Sequence, residues 1–302
     1  MVFVEKVVMR LHFAALKNAL YVCEEILSVV FALRFFARVC FITCVSLGGS
    51  LFVYGAHAGD IDSQSNTLSS GNVRVLSFNV RTEYANDPGE RNWTARKHRV
   101  LASIVRSGAS IVGLQEASEA QQQYLLKGLG LKWASSEYRQ ILYRHDLYTV
   151  EKSGRIELIE DKWEPRSAEW LQLNDTVSKK SFIFMNTHWG VDALSQIGSA
   201  NILKQKIPIV TEDWLLPTIL VGDFNVLPRS EPYLVLANKT PLQNQFYGKT
   251  FTEFNVTADR QLDYVWTHRL RSANCSVFHK KEEGLPPASD HYPVVCDVEL
   301  GH

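Results

Sequence analysis

Short apolar segments of strand length alternate with longer segments of helical period between residues 73 and 300. When strands and helices alternate along a chain, the helices cover the faces of a sheet, so this pattern restricts the fold to the α/β class. No stretch rich in proline, glycine or serine divides the region, whose length is usual for one domain. The pattern predicts strands over residues 73–80, 110–115, 140–143, 147–159, 169–173, 181–187, 218–221, 261–266, 273–279 and 292–300, and helices over 93–106, 118–129, 192–212 and 231–236.

The first 58 residues have a different character, and they include an uncharged, mostly apolar run at 39–56. Arg34 and Arg38 stand just before this run, and the small-x-small triplet 56–58 ends it. A basic flank, an apolar run and a small-x-small triplet are the parts of a signal peptide. The sequence therefore predicts a targeting segment over 1–58, a polar linker over 59–72 and one domain over 73–302.

The long lead before the apolar run leaves three interpretations of the targeting segment open. The segment is a cleaved signal with a long leader, or it is an uncleaved membrane anchor through 39–56. In the third interpretation the true start of the chain is Met9 or a later residue. A fourth interpretation, core helices within 10–56, fits less well with the two arginines in the apolar region. We expect a secreted or lumenal protein, with a membrane-anchored protein as the alternative.

Sequons and cysteines agree with export from the cytosol. Two cysteines, Cys275 and Cys296, follow the targeting segment, and they form either one disulfide or two buried thiols. No Cys–His cluster has the spacing of a zinc site, which excludes zinc-finger and zinc-hydrolase classes. Five Asn-x-Ser/Thr triplets, which are glycosylation acceptors on a lumenal surface, begin at Asn92, Asn174, Asn238, Asn255 and Asn274.

The balance of charges bears on nucleic-acid binding. The chain has 32 basic and 32 acidic side chains, and the part after residue 58 has a small acidic excess. Proteins that hold long nucleic acids through phosphate contacts carry an excess of basic residues. The composition therefore predicts no strong basic surface for long nucleic acid, although a balanced total leaves room for a local basic patch.

Polar side chains stand at the ends of five predicted strands, and a sixth set stands at the entry to the last strand. Such side chains converge where loops gather, which is where α/β folds build their sites. The six segments are Leu76-Ser77-Phe78-Asn79, Gly113-Leu114-Gln115-Glu116, Phe184-Met185-Asn186-Thr187-His188, Val221-Gly222-Asp223-Phe224-Asn225, Gln261-Leu262-Asp263-Tyr264 and Ser289-Asp290-His291-Tyr292-Pro293.

The residue types in these segments suit the hydrolysis of a phosphoester. A hard cation such as Mg²⁺ takes oxygen ligands, which Asn79, Glu116 and Asp290 can supply. A carboxylate or a His–Asp pair can take the proton of an attacking water. Negative charge on the phosphoryl oxygens needs donors. The candidate donors are Asn225, Asn186 and protonated His188.

The six segments, in this order over residues 73–300, resemble the endonuclease/exonuclease/phosphatase superfamily of metal-dependent phosphoesterases. The resemblance implies a four-layer α/β sandwich, in which two mixed β-sheets pack face to face with helices outside. It implies metal ligands at Asn79, Glu116 and Asp290, with Mg²⁺ as the cofactor and Mn²⁺ as an alternative. It also implies water activation by Asp223 or by the His291–Asp263 pair, and phosphate contacts from Asn225 and His188.

Two further residues near these segments are weaker candidates for substrate binding. Arg166 either reaches the substrate phosphate or forms a surface ion pair, and Trp189 either lines the substrate cleft or packs in the core. Taken singly, each site residue also has a structural interpretation, such as an Asx turn at Asp223 and Asn225. Because all six segments agree with one site, the catalytic interpretation is the simpler one.

The sequence leaves the substrate open among three hypotheses. The first is a phosphodiesterase or nuclease that acts on nucleotides or small nucleic acids. The second is a lumenal lipid or sugar phosphate hydrolase, similar to a sphingomyelinase or an inositol phosphatase. The third is a binding protein without catalysis on the same scaffold, which the complete set of polar residues disfavours.

Overall fold

A computed structural model describes residues 71–255, 257–278 and 285–300. The predicted targeting segment, and all but the last two residues of the predicted linker, lie outside the described residues. Among the residues that are described, no helix is both long and apolar enough to cross a membrane. The proposed anchor at 39–56 therefore stays a prediction.

The described part of the chain forms two six-stranded sheets. The first sheet has the order β11-β12-β1-β2-β4-β3, and the second has the order β5-β6-β7-β8-β10-β9. The strands are β1 (Asn72–Asn79), β2 (Ile111–Gln115), β3 (Trp133–Ser135), β4 (Ile141–Arg144), β5 (Tyr148–Glu157), β6 (Ser167–Asp175), β7 (Ser181–His188), β8 (Thr218–Asp223), β9 (Gln243–Asn244), β10 (Asp263–His268), β11 (Leu270–Val277) and β12 (Val294–Leu300).

Both sheets are mixed. β1 pairs with β2 in parallel, β7 pairs with β8 in parallel, and the other pairs are antiparallel. Parallel pairs need a crossover, and a helix provides it in each sheet. The helices are α1 (Trp93–Ser107), α2 (Glu119–Leu129), α3 (Ala193–Val210) and α4 (Glu231–Lys239).

Three apolar clusters divide the molecule into layers. The first fills the space between the sheets, with residues such as Val75 of β1 and Phe184 of β7. The second packs the outer face of the second sheet against α3 and α4, and the third packs the outer face of the first sheet against α1 and α2. The order helix, sheet, sheet, helix is the predicted four-layer sandwich, and the fold prediction is confirmed.

Local signals explain where the helices begin and end. α1 begins after Asn92, whose side chain accepts from the Thr94 amide, and it ends at Gly108 with φ of +66°. α2 begins after Ser118, which forms a capping box with Gln121. The predicted elements correspond to these with ends shifted by a few residues. The short strands β3 and β9 were not predicted, because two or three residues show no period.

Cys275 and Cys296 occupy directly opposed positions of β11 and β12, and the structure joins them in a disulfide. Their Cα atoms lie 4.1 Å apart. The sequence alone left a disulfide and two thiols equally open, since it does not show that the two strands are neighbours. Of the five predicted sequons, the asparagines at 238, 255 and 274 are exposed, and those at 92 and 174 are half-buried.

Gly222 of β8 is required by the close approach of β7. Its φ is +151°, and a Cβ there would overlap the backbone carbonyl of Thr187. Because a backbone atom cannot rotate away, we expect Gly222→Ala to lower the free energy of unfolding by roughly 1–3 kcal/mol. Urea denaturation measures this loss. Gly89→Ala is the control, since Gly89 has φ of +56° and open space around it. Equal losses in both variants would contradict the steric explanation.

Candidate active site

Three of the predicted site residues lie in one row across the second sheet. Asp223 ends β8, and it stands in register with His188 at the end of β7 and with Asp263 at the start of β10. Because β10 runs antiparallel to β8, its first residue reaches the edge where β7 and β8 end. Strand pairing alone therefore places two carboxylates and an imidazole side by side, although 75 residues of sequence separate His188 from Asp263.

The same edge receives residues from the first sheet. β12 is antiparallel to β1, so the segment before β12 lies beside the end of β1, where Asn79 stands. The Ser289 hydroxyl donates to the Asn79 carbonyl at 2.7 Å, which fixes the segment that carries Asp290 and His291. The Asn79 amide then reaches across to the second sheet and donates to Asp223 Oδ2 at 2.9 Å.

Asp223 is the centre of the site. Its Oδ2 lies 3.6 Å from Nε2 of His291 and 3.7 Å from Nε2 of His188, so one carboxylate oxygen faces two imidazoles. The Asp223 side chain is 2% exposed. Burial raises the pKa of its carboxyl, and the nearby charge of Asp263 raises it further, while His291 opposes both.

His291 is held by a second carboxylate on its other side. Its Nδ1 lies 2.8 Å from Asp263 Oδ2, and both side chains are buried. Burial lowers the pKa of His291, but the negative charges of Asp263 and Asp223 outweigh burial and raise the pKa to about 10. The imidazole is therefore protonated at neutral pH when no cation is bound, and it acts as a hydrogen-bond donor.

This pKa predicts how the stability of the metal-free protein changes with pH. The folded-state pKa lies above the ordinary value of 6.5, so the contribution of His291 is complete below pH 6.5 and is lost as the pH rises to about 10. We expect the free energy of unfolding to fall by on the order of 1 kcal/mol for each unit of pH in this window. Denaturation in EDTA measures it, and Asp263→Asn should flatten the curve. A curve that rises with pH in this window would contradict the assignment.

Glu116 and Asn79 form the part of the site that faces the first sheet. Asn79 Nδ2 donates to Glu116 Oε1 at 3.0 Å, and the Thr82 amide donates to Glu116 Oε2 at 3.1 Å. Burial raises the pKa of Glu116, but the positive charge of His188 and the bond from Asn79 outweigh it, and the pKa is lowered. Burial raises the pKa of Asp290 and the negative charge of Glu116 raises it further, while His291 and Arg81, whose Nη1 lies 3.5 Å from Asp290 Oδ2, oppose both.

The backbone is in the left-handed region just beyond three strand ends. Arg81 after β1 has φ of +57°, Glu116 after β2 has φ of +59°, and Asn225 after β8 has φ of +52°. Residues with a side chain adopt this conformation at a cost, and such residues cluster at functional sites. Here the turns aim Glu116 and Asn225 into the site.

Asn225 lies next to His188. Its Nδ2 donates to the Trp189 carbonyl at 2.9 Å and lies 3.3 Å from His188 Nε2, while its backbone amide donates to Asp223 Oδ1 at 2.9 Å. The side chain is thus within reach of a phosphoryl oxygen placed between Asp223 and His188. This is the place that a donor to the phosphate requires.

A carboxylate that the sequence did not reveal completes the surroundings of His188. Glu164 Oε1 lies 3.2 Å from His188 Nδ1, and Arg166 lies 2.7 Å from the same nitrogen. A protonated Nδ1 donates to Glu164, and an unprotonated one accepts from Arg166. Arg166 is itself buried and paired with Asp161 at 2.9 Å and with Glu164 at 2.5 Å. No pattern marks Glu164, because it stands in the loop before β6.

Two of the predicted substrate contacts have structural positions instead. Asn186 is fully buried between the sheets, where its amide donates to the carbonyls of Leu114 and Gln140 and accepts from Gln115. Trp189 is fully buried and packs edge-on against Phe224, with ring centroids 4.8 Å apart. Both side chains support the strands that carry the site, so neither is placed to contact substrate.

Arg96 of α1 organises the loops around the site, a role that its sequence context did not indicate. Its guanidinium is buried and donates to the carbonyls of Val80, Arg81 and Ala288. It therefore joins the loop after β1 to the segment that carries Asp290. Burial lowers the pKa of Arg96 to about 10, which leaves it charged at neutral pH.

Residues 76–291, which contain every site residue described above, match the sequence model of the Endonuclease/Exonuclease/phosphatase family. The chain belongs to this family. Members of the endonuclease/exonuclease/phosphatase family hydrolyse phosphoesters, and they generally depend on a divalent metal. The resemblance in the six polar segments is thereby confirmed at the level of the family, and the chain is a phosphoesterase of this family.

Individual relatives of the family are distant from this chain. Nocturnin of Xenopus laevis is 23% identical over 296 residues, which covers 79% of this chain and 75% of nocturnin. A mannosyl-6-phosphatase of Bacteroides thetaiotaomicron has a TM-score of 0.64 at 20% identity, over 76% of this chain and 100% of its own. D. rerio TDP2, solved with a single-strand DNA product, has a TM-score of 0.60 at 18% identity, over 76% of this chain and 99% of the TDP2 chain. These structural matches establish the shared fold.

Two sets of side chains in the site are able to bind a cation. Asn79, Glu116 and Asp290 offer oxygen ligands, which suits a hard cation such as Mg²⁺. Asp223, Asp263 and His291 form the second set, and their ligand atoms lie within 4.8 Å of one another. Asp263 Oδ1 in the second set is buried without a hydrogen-bond partner among the described residues. The donor chemistry of both sets fits a divalent metal.

Proposed function

We propose that this protein is a Mg²⁺-dependent phosphodiesterase in which Asp223 accepts the proton of the attacking water. The observation that carries the proposal is the position of Asp223 Oδ2 between the two imidazoles of His188 and His291. The raised pKa of Asp223 brings this carboxyl closer to the pKa range in which a group can both hold and release a proton. His291 bonds Asp263 through Nδ1, and the surrounding negative charges raise its pKa, which favours a hydrogen-bond donor rather than a base at this position.

The remaining polar groups bind and polarise the phosphate. Protonated His291, Asn225 and His188 supply donors toward the phosphoryl oxygens, on which negative charge increases during attack. Asp263 keeps His291 protonated and fixes its ring. Glu164 and Arg166 contact Nδ1 of His188 and fix the position of its ring. The two imidazoles thus approach the phosphate from both sides of Asp223.

Glu116, Asn79 and Asp290 are the residues that we propose to hold the cation, because all three offer oxygen ligands. The second set offers an imidazole nitrogen beside its two carboxylates, and the negative charges around His291 favour a proton on that imidazole, whereas Mg²⁺ prefers oxygen ligands. When bound, Mg²⁺ supplies positive charge that stabilises the phosphoryl oxygens. Mn²⁺ fits the same oxygen ligands.

Nucleotides and small nucleic acids are the substrates that we propose. The likeness to D. rerio TDP2, whose structure holds a single-strand DNA product, supports this class. The likeness to a mannosyl-6-phosphatase supports the alternative of a sugar phosphate. A panel of single-stranded DNA, RNA, sphingomyelin, inositol phosphates, hexose phosphates and nucleotide sugars, assayed side by side with Mg²⁺, separates them. Faster cleavage of a sugar or lipid phosphate than of every nucleic acid would reject the nucleic-acid class.

A further inference from the structure

An open groove lies beside the catalytic side chains, on the side where β10 begins. Its volume is about 600 Å³, which is within the usual range for small-ligand sites. We call it the basic groove. Its lining residues come from the loop after β8 and from the segments before β10, and they include Tyr247, Lys249, Asp259 and Arg260.

The basic groove is connected to the catalytic centre through Phe251. The backbone of Phe251 bridges to Arg260 on one side and to His291 on the other. The Phe251 ring lies 5.0 Å from the His291 ring, and the Arg260 guanidinium lies 4.5 Å from the centroid of the same ring. Phe251 is therefore in contact with Arg260 at the groove and with His291 at the catalytic centre.

The charges in the groove suit an anion. Lys249 and Arg260, which line the groove, are both exposed. The one acidic lining residue, Asp259, pairs with Arg260 at 3.2 Å, and both side chains of this pair are exposed. Exposed ion pairs contribute little energy, so an incoming phosphate can compete with Asp259 for Arg260. This is a local basic patch in a chain with no net charge.

Tyr247 adds a planar, exposed ring to the same groove. The residue is 75% exposed, although tyrosine is a large and partly apolar side chain. Cationic side chains with an exposed aromatic ring are the combination that binds single-stranded nucleic acid, because the cations hold the phosphates and the ring stacks on a base. A sugar without a base or a second phosphate would use neither feature.

A second cavity, which site residues themselves line, differs from the basic groove in its charge. Its volume is about 270 Å³, and its lining includes Glu116, Glu164, Arg166 and His188, with the exposed ring of Tyr84. Arg166 already pairs with Glu164 and Asp161. This cavity therefore offers no excess of positive charge to an additional phosphate, whereas the basic groove does.

The geometry points to the basic groove as the site for the nucleotide next to the scissile phosphate. Its phosphate lies on Lys249 and Arg260, and its base stacks on Tyr247. The inference rests on the proposed phosphodiesterase function and narrows the substrate class. It assigns a dinucleotide or a short single strand as the substrate, in preference to a compact sugar phosphate.

A pair of chromogenic substrates tests this inference in the full chain. The p-nitrophenyl ester of thymidine 5′-phosphate is compared with that of the dinucleotide pTpT, and the corresponding 3′ esters form a second series. We expect the second nucleotide to raise kcat/KM roughly tenfold or more in one series, as stacking and phosphate contacts do elsewhere. The double variant Lys249→Gln/Arg260→Gln should remove this gain, and the salt dependence of kcat/KM should weaken with it.

Matched variants test whether the gain depends on the groove or on the overall charge of the protein. Lys204→Gln/Lys206→Gln makes the same change of charge on α3, away from the groove, and should keep the gain. Tyr247→Leu should lower the gain, whereas Tyr247→Phe should keep it because the ring remains. A wild type that shows no gain, or a gain that persists in Lys249→Gln/Arg260→Gln, would overturn the inference.

Failure of the groove is distinguishable from failure of the proposed function. If no ester is hydrolysed with Mg²⁺, the phosphodiesterase proposal fails. A binding measurement then tests whether the groove holds a nucleotide. A fluorescein-labelled tetrathymidylate, followed by anisotropy at low salt, should bind the wild type and bind Lys249→Gln/Arg260→Gln at least roughly tenfold more weakly. Equal affinity of the two proteins, or no binding to either, would reject the groove.

Discussion

Asp223→Asn is expected to lower kcat by roughly 10²–10⁴-fold, because the amide cannot accept the proton of the attacking water. The substitution keeps the size of a side chain that is 2% exposed, and it keeps an oxygen to face the two imidazoles. KM should change much less than kcat, since the phosphate donors His188, His291 and Asn225 remain. Steady-state hydrolysis of bis(p-nitrophenyl) phosphate with Mg²⁺ gives both constants.

The control for this substitution is Asp213→Asn. Asp213 is exposed in the turn after α3, so the same chemical change there should leave kcat unaltered. Thermal unfolding of both variants shows whether the Asp223 variant is folded. A folded Asp223→Asn protein with a kcat within about threefold of the wild type would mean that another group is the base.

Glu116→Gln is expected to raise the Mg²⁺ concentration needed for half-maximal activity by roughly 100-fold. Glu116 is the carboxylate that Asn79 and Thr82 hold in place by hydrogen bonds, and loss even of such outer partners costs 10–100-fold in metal affinity. A neutral amide also removes a negative charge that attracts the cation. Titration calorimetry with Mg²⁺ measures the affinity without reference to activity.

Asp263→Asn is the matched comparison, because it tests the second set of candidate ligands. If the cation lies at Glu116, the Asp263 variant keeps most of the Mg²⁺ affinity and loses kcat through His291. If the cation lies among Asp223, Asp263 and His291, the Asp263 variant loses most of the Mg²⁺ affinity and the Glu116 variant keeps it. A larger loss of Mg²⁺ affinity in Asp263→Asn than in Glu116→Gln would therefore overturn the assignment of the metal site.

The secondary structure was predictable because its determinants are local, whereas the four-layer arrangement was predicted from the resemblance to the family. Alternating apolar periods gave the helices and all but the two shortest strands. The site was partly predictable for the same reason. Polar residues at strand ends, such as Asp223 and Glu116, meet at one edge once the strands pair, and parallel and antiparallel pairing decides which ends share that edge.

The remainder of the site depends on tertiary contacts that no local pattern contains. Glu164 reaches His188 from a loop, and Arg96 joins two loops through their carbonyls. Asn186 lies two residues before His188 on the same face of β7, but it is one step further from the strand end and is enclosed between the sheets. Trp189 follows the end of β7 and packs on Phe224. A position close to a catalytic residue in sequence is therefore a weak predictor of substrate contact.

Hydrolysis of bis(p-nitrophenyl) phosphate by the purified full chain tests the central claim most directly. The site described here predicts steady release of p-nitrophenol with Mg²⁺, its loss when EDTA removes the cation, and its return when Mg²⁺ is restored. The same assay with Asp223→Asn and Glu116→Gln should show loss at saturating Mg²⁺ for the first and a shifted Mg²⁺ dependence for the second. Equal hydrolysis in EDTA and in Mg²⁺, or no hydrolysis by the folded protein with Mg²⁺ or Mn²⁺, would contradict the account.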